Sequence, residues 1–199
     1  GDFGVYSFNG NKIITTGGGG MIVAKDHALL EKAKYLSTQA KDDTELFIDN
    51  EIGYNYRMTN IQAALGLAQL ECLESFISIK KTNYDYYLGK LKDIEGLSLQ
   101  PFNDGSRNNY WFYSLIIDVE KFGYTVLEVM ENLKKKSIQS RPVWGLMHAQ
   151  KPYEKAQTYE LVNTKIYYKQ ILNIPCSTNL TKKEIDRVVA VLEEMKDNY

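Results

Sequence analysis

The stretch YSFNGNKIITTGGGG, from Tyr6 to Gly20, decides how the rest of this sequence is interpreted. It places Lys12 between a short polar turn and a run of glycines. A lysine amine attacks aldehydes only when it is held in place and partly deprotonated, whereas an ordinary lysine has a pKa of about 10.4. Ser7 and Asn9 offer a hydroxyl and an amide beside it, which suit a phosphate or an aldehyde cofactor. The spacing alone favours a plainer interpretation, a surface lysine followed by a glycine turn.

The composition is that of a globular chain. With 199 residues, of which 44% are hydrophobic, it has enough apolar material for one sizeable core or two small ones. The formal net charge of -1 gives no basic field for nucleic acid or a membrane surface. Cys72 and Cys176 are interpreted as reduced thiols of a cytoplasmic protein. Neither His27 nor His148 has neighbours at the spacing of zinc ligands, so no metal is expected.

The first part of the sequence predicts two short strands around the lysine turn, followed by helices. Asp26 is a good N-cap for the first helix. Residues 37–56 lose all periodicity and predict a polar loop, whose length is unusual in the absence of a functional role. Thr59 and Gln62 form a capping box that opens a helical pattern, and this pattern predicts one long helix reaching about Leu91.

The second part predicts a smaller α/β unit. We place the boundary near Ser75, so that residues 1–75 and 76–199 form separate domains. Capping boxes at Thr125 and Thr181 open two helices. The predicted strands lie at residues 97–101, 110–117 and 138–143, the last interrupted by Pro142 and therefore suited to a sheet edge, and a further helix is predicted at 159–170. The last helix is predicted to bury Ile185, Val188, Val189, Leu192 and Met195.

Four segments resemble the sugar aminotransferases of the DegT/DnrJ/EryC1/StrS family, which are pyridoxal-phosphate enzymes of aminotransferase fold type I. In chain order they are SFNGNKIITTGGGGMI, GYNYRMTNIQAALGLAQL, RPVWGLMHAQ and NIPCSTNLT. The resemblance implies an α/β chain, in which residues 1–75 are the end of the PLP-dependent transferase fold type I large domain. Residues 76–199 then form the small C-terminal α/β domain.

The resemblance also implies roles for individual residues. Lys12 matches the lysine that bonds to pyridoxal phosphate and moves the proton between substrate and cofactor, and Ser7 matches a serine that binds the cofactor phosphate. Asn55 matches an asparagine that reaches the phosphate held by the other subunit, which implies a homodimer with shared active sites. Tyr54 and Arg57 would then contact a substrate anion. Alternatively, they belong to a packed aromatic loop with a surface arginine.

Two residues of the third segment have competing interpretations. His148 is a candidate contact for the nucleotide-sugar substrate, or else it caps a turn. Trp144 is interpreted as a packing residue rather than as a platform for a sugar.

The implied activity is transfer of an amino group, with glutamate as the expected donor, to a nucleotide-linked keto-sugar in surface polysaccharide or amino-sugar biosynthesis. A related dehydratase activity is disfavoured because those relatives replace the lysine by histidine. The family's ring-binding aspartate and stacking aromatic lie before the lysine, where this chain has no sequence. We therefore expect the C-terminal half of such an enzyme, with an apolar face exposed on its first 74 residues and weak cofactor binding. The alternative is a non-catalytic module that keeps the small-domain fold and the dimer surface.

Overall fold

A computed structural model describes residues 1–43 and 45–199 of the chain. These residues divide into two compact units, Gly1–Ser75 and Phe76–Tyr199. Within the described residues, every helix is too short or too polar to cross a bilayer.

The first unit begins with an antiparallel hairpin and a helix. Its strands are β1 (Phe3–Ser7) and β2 (Gly20–Ala24), and helix α1 (His27–Ser37) follows. The predicted N-cap is confirmed, because the carboxylate of Asp26 accepts hydrogen bonds from the first turn of α1.

The segment 37–56, predicted to be a polar loop, contains a small hairpin, so the prediction of a loop throughout was wrong. Strands β3 (Lys41–Asp43) and β4 (Ile48–Asp49) pair in antiparallel fashion. The backbone N–H of Asn50 donates to the carboxylate of Asp42 at 2.8 Å, and this bond holds the pKa of Asp42 below its ordinary value. Strands of two and three residues are too short to produce a detectable alternation in the sequence.

The predicted capping box is confirmed, but the helical pattern that follows it is broken once. Helix α2 (Asn60–Glu71) begins after Thr59, whose side chain exchanges hydrogen bonds with Gln62. Helix α3 (Leu73–Leu91) starts only after Cys72, which adopts φ −96° and ψ −2°. An interruption of one residue leaves the apolar spacing almost unchanged, so periodicity predicts a single helix there.

The second unit is built on a four-stranded antiparallel sheet. Its strands are β5 (Leu97–Leu99), β6 (Tyr113–Ile117), β7 (Arg141–Pro142) and β8 (Ile171–Ile174), in the order β5-β6-β8-β7. The edge position predicted for the strand at Pro142 is confirmed. Strand β8 was not predicted, because four residues between a helical pattern and a proline carry little signal of their own. The helices are α4 (Val119–Phe122), α5 (Val126–Lys135), α6 (Val162–Tyr168) and α7 (Lys182–Asp197).

One hydrophobic core fills the second unit. Alternate residues of β6 point into it, so that Tyr113, Leu115 and Ile117 are fully buried while Ile116 is not. The buried face predicted for α7 is confirmed, since all five of its residues lie in this core. The capping boxes predicted for α5 and α7 are also present.

Candidate active site

The loop between β1 and β2 carries Lys12 and is closed by backbone hydrogen bonds. The N–H of Lys12 donates to the carbonyl of Asn9 at 3.0 Å, which makes a turn at the lysine itself. Ser7, the last residue of β1, lies opposite Gly20. A Cβ at Gly20 would lie 2.5 Å from the carbonyl oxygen of Tyr6, so only glycine fits at this end of the glycine run.

Helix α2 anchors the far side of the lysine loop. The N–H of Thr15 donates to Oε1 of Gln69 at 2.7 Å, while Oγ1 of Thr15 donates to the carbonyl of Phe8 at 3.0 Å. Thr16 is buried beside it. Sequence reasoning missed Gln69, although an amide within the apolar run ALGLAQL was an available signal. These bonds fix the backbone on which the half-buried Lys12 stands.

Ser7 makes the local contact typical of a turn serine. Its Oγ accepts a hydrogen bond from the N–H of Asn9 at 3.4 Å, a long distance that indicates a weak bond. The side chain is exposed, and its hydroxyl proton is donated to no other described residue. The hydroxyl is therefore available to a ligand.

The segment that contains Asn55 is held against the end of α1. Asn55 forms an isolated antiparallel bridge with Thr38, and the N–H of Tyr54 donates to the carbonyl of Leu36 at 2.7 Å. The rings of Tyr54 and Tyr56 stack with centroids 5.1 Å apart, yet these residues remain 51% and 75% exposed. The two tyrosines pack on each other without being buried, and Asn55, which lies between them in the sequence, is exposed.

A cleft of about 740 Å³ opens within the first unit. It brings Tyr6 together with Tyr56 and Arg57, and Lys34 and Glu31 of α1 also line it. Ser7, Lys12 and Asn55 are not among its lining residues. Of the predicted residues in this unit, the cleft therefore includes Arg57 alone.

His148 and Trp144 lie in the second unit. His148 is half-buried in a 3-10 turn, Met147–Ala149, which is closed by backbone bonds. The turn-capping alternative is wrong, since the imidazole bonds to no other described residue. Trp144 packs against the ring of Phe112, as expected of a packing residue, and it nevertheless stays 65% exposed.

Comparison with known proteins identifies the family. The model of the DegT/DnrJ/EryC1/StrS aminotransferase family matches residues 1–193. The chain belongs to this family. It is 36% identical over 196 residues to EpsN of Bacillus subtilis, whose name includes the words "pyridoxal phosphate-dependent aminotransferase", and the alignment covers 96% of this chain and 50% of EpsN. It is 37% identical to a GDP-perosamine synthase of Caulobacter vibrioides, over 98% of this chain and 53% of that protein.

The fold of the aminotransferase family is shared as well. The structure of DesI, determined in the presence of its TDP-sugar product, matches with a TM-score of 0.88 and 25% identity, over 98% of this chain and 50% of DesI. The chain thus spans about half the length of the relatives that it matches.

The family's cofactor is pyridoxal phosphate, and the lysine hairpin has a donor set that fits part of it. An amine on a fixed turn suits the aldehyde group. The exposed hydroxyl of Ser7, five residues away in the same hairpin, suits the phosphate because it has a proton to donate. The hairpin therefore offers groups for the aldehyde and for one side of the phosphate.

Proposed function

We propose that this chain supplies the lysine-bearing segment and the small domain of a pyridoxal phosphate-dependent aminotransferase. Its substrate would be a nucleotide-linked keto-sugar and its amino donor glutamate, in the biosynthesis of a surface polysaccharide or amino sugar. The observation that carries the proposal is the anchored turn of Lys12, within a family match that runs over nearly the whole chain. Names of two relatives, which refer to GDP-perosamine and to a TDP-sugar, support a sugar nucleotide as substrate.

Individual residues of this chain would have the following roles in the proposed amino transfer. When bound, the cofactor supplies an electron sink for the substrate carbon. Lys12 would hold the aldehyde group of the cofactor, and its Nζ would accept and return the proton of the substrate carbon. Ser7 would donate its hydroxyl proton to the phosphate. The bond between Thr15 and Gln69 keeps the lysine turn in place during these steps.

Substrate contacts are proposed for the remaining candidates. Arg57 lines the cleft of the first unit and offers a guanidinium for the diphosphate. Tyr54, which is outside the cleft lining and stacks on Tyr56, is proposed as a further substrate contact. His148 has an imidazole without a partner among the described residues, which leaves it available to the substrate.

We infer further that two copies of the chain share their active sites. Asn55 would reach the phosphate held by the other copy, because its amide is exposed on a segment whose backbone is fixed. We also propose that the protein is located in the cytoplasm, which is supported by its two free thiols.

A non-catalytic module remains the second candidate, and one observation favours it. In the first unit Thr16 and Ala40 are the only buried residues among those described. A site supported by so few buried residues can be too loosely positioned for catalysis.

Selective labelling tests the proposal. The chain is incubated with limiting pyridoxal phosphate, reduced with borohydride and mapped by peptide mass spectrometry. We expect the phosphopyridoxyl label on Lys12 before any other lysine. Unphosphorylated pyridoxal should label Lys12 less selectively than pyridoxal phosphate does. In the Ser7→Ala variant the two compounds should label Lys12 with equal selectivity. In mixed dimers of Lys12→Ala and Asn55→Ala chains, one of the two sites should keep its selectivity.

The matched control is Ser106→Ala, which removes an exposed hydroxyl from a turn in the second unit. It should leave the labelling pattern unchanged. Equal labelling of Lys12 and other exposed lysines would reject the catalytic proposal and favour the module.

A further inference from the structure

A groove of about 540 Å³ lies on the outer face of the sheet in the second unit. Its floor includes Ile116 of β6 and Ile171 of β8, which are paired in register. Their neighbours Leu115 and Ile117 point the other way, into the core. The floor is therefore part of a rigid sheet, and the volume is within the range of small-molecule sites.

Three aromatic side chains with exposed faces line this groove. Trp144 is 65% exposed, and Tyr167 and Tyr168 of α6 are 50% and 40% exposed. Phe112 meets Trp144 edge to face at a centroid distance of 5.3 Å. This contact orients the indole before any ligand arrives, since edge-to-face pairs have a preferred geometry.

Three polar side chains complete the lining: Gln100, Asn163 and Thr164. Gln100 is placed by the sheet, because its N–H donates to the carbonyl of Ser114 in β6 at 2.9 Å. None of the three side chains is hydrogen-bonded to another described residue. Their amide and hydroxyl groups are therefore available for both donation and acceptance.

The described lining contains no charged side chain, and its other members are proline or aliphatic. Such a surface does not suit a phosphate, which needs positive charge or clustered N–H donors. It suits a flat, uncharged ring that stacks on aromatic faces and presents donors and acceptors at its edge. Side-chain amides of asparagine and glutamine match the edges of nucleobases in this way.

We propose that this groove binds a nucleobase, namely the base of the sugar nucleotide. The base stacks on Trp144, and Gln100 and Asn163 bond to its edge. This inference rests on the proposed function for the choice of ligand, and it assigns that ligand a contact surface within the second unit alone.

Guanosine and thymidine test the groove, because they are uncharged and correspond to the GDP and TDP named in two relatives. Ligand-observed saturation-transfer NMR on the 199-residue chain measures their dissociation constants. Trp144→Ala should raise the dissociation constant at least about fivefold, the lower end expected for stacking of a base on an aromatic side chain. Trp144→Phe keeps a stacking face and should retain most of the binding.

Two further variants make the test specific. Asn163→Ala should weaken guanosine and thymidine unequally, since the two bases present different edges. Tyr159→Ala removes an aromatic residue that is 74% exposed outside the groove lining, and it should change nothing.

Three results would overturn the inference: no saturable binding of either nucleoside, binding that Trp144→Ala leaves intact, or methyl glucoside binding more tightly than the nucleosides. The labelling of Lys12 is measured separately. Selective labelling without nucleoside binding would reject the groove and leave the proposed function standing, whereas the reverse result would reject the proposed function and keep the groove.

Discussion

The two units differ sharply in what they bury, although both have well-formed helices. All the buried apolar residues of the described chain except Ala40 belong to the second unit. In the first unit, Val5, Ile61 and Leu67 are 76%, 84% and 60% exposed. These exposures agree with the apolar surface expected to remain exposed on the first 74 residues, and that they form a single face stays a prediction. The difference teaches that capping and backbone hydrogen bonds are enough to define α2, whereas only packing provides a core.

The largest expected difference between the two units is the loss of unfolding free energy when one leucine in each is replaced by alanine. Leu192→Ala in α7 removes a fully buried side chain and should lower the free energy of unfolding by about 2–5 kcal/mol. Leu67→Ala in α2, the matched control, should change it by about 0.5 kcal/mol or less. Urea unfolding followed by far-ultraviolet circular dichroism reports on the helices of both units, α2 and α7 included. A cost for Leu67→Ala equal to that of Leu192→Ala would contradict the comparison.

Removing single tyrosine hydroxyls from the two units should change the free energy of unfolding by a smaller amount. Tyr113→Phe should cost about 1 kcal/mol, because the hydroxyl donates to the buried carbonyl of Lys80 at 2.6 Å. Tyr87→Phe should be neutral or slightly stabilising, since its buried hydroxyl has no hydrogen-bond partner in the part of the chain that the structure describes. In the first unit, Tyr54→Phe should have no measurable effect, because that residue is half exposed.

Urea unfolding of the three variants is the measurement. A loss for Tyr87→Phe as large as that for Tyr113→Phe would show that its hydroxyl is paired, for instance with a buried water molecule.

The smallest effect concerns pH, where the capping boxes of the two units differ in charge. Glu184 accepts hydrogen bonds from the backbone N–H and side chain of Thr181, and these bonds lower the pKa of Glu184. Because the pKa is lower in the folded state, this stabilisation is complete above the ordinary value of 4.5 and is lost as pH falls through the folded value. The box of α2 uses Gln62, which does not titrate.

Amide NMR titration checks this difference. The N–H signal of Thr181 should shift with a midpoint below pH 4.5, while that of Thr59 should stay constant. Glu184→Gln should abolish the shift at Thr181. A midpoint at or above the ordinary value would mean that the box is open in solution.

Local sequence signals predicted several features well, and each has a short-range cause. Asp26, Thr59 and Thr181 cap helices through bonds to residues two or three positions away, so the information lies within one turn. The buried face of α7 follows from its own periodicity. The motifs around Lys12 were specific enough to indicate the family.

Other features were decided only by contacts between distant residues. Gln69 meets Thr15 across 54 positions, and the pairing of β8 with β6 joins residues far apart in the chain. No local pattern encodes such pairs, because either partner alone is compatible with a surface position.

By itself, therefore, the sequence determined where the helices of this aminotransferase-family chain begin, which faces are apolar and which lysine stands on a turn. The tertiary structure alone decided which apolar faces are covered. It covers the faces of α7 and β6 and leaves that of α2 open, since burial depends on what packs against a face and not on the face itself. The exposure of Trp144 was not predicted, for the same reason. Its aromatic neighbours are visible in the sequence, but its exposure over a groove depends on how the sheet and α6 come together.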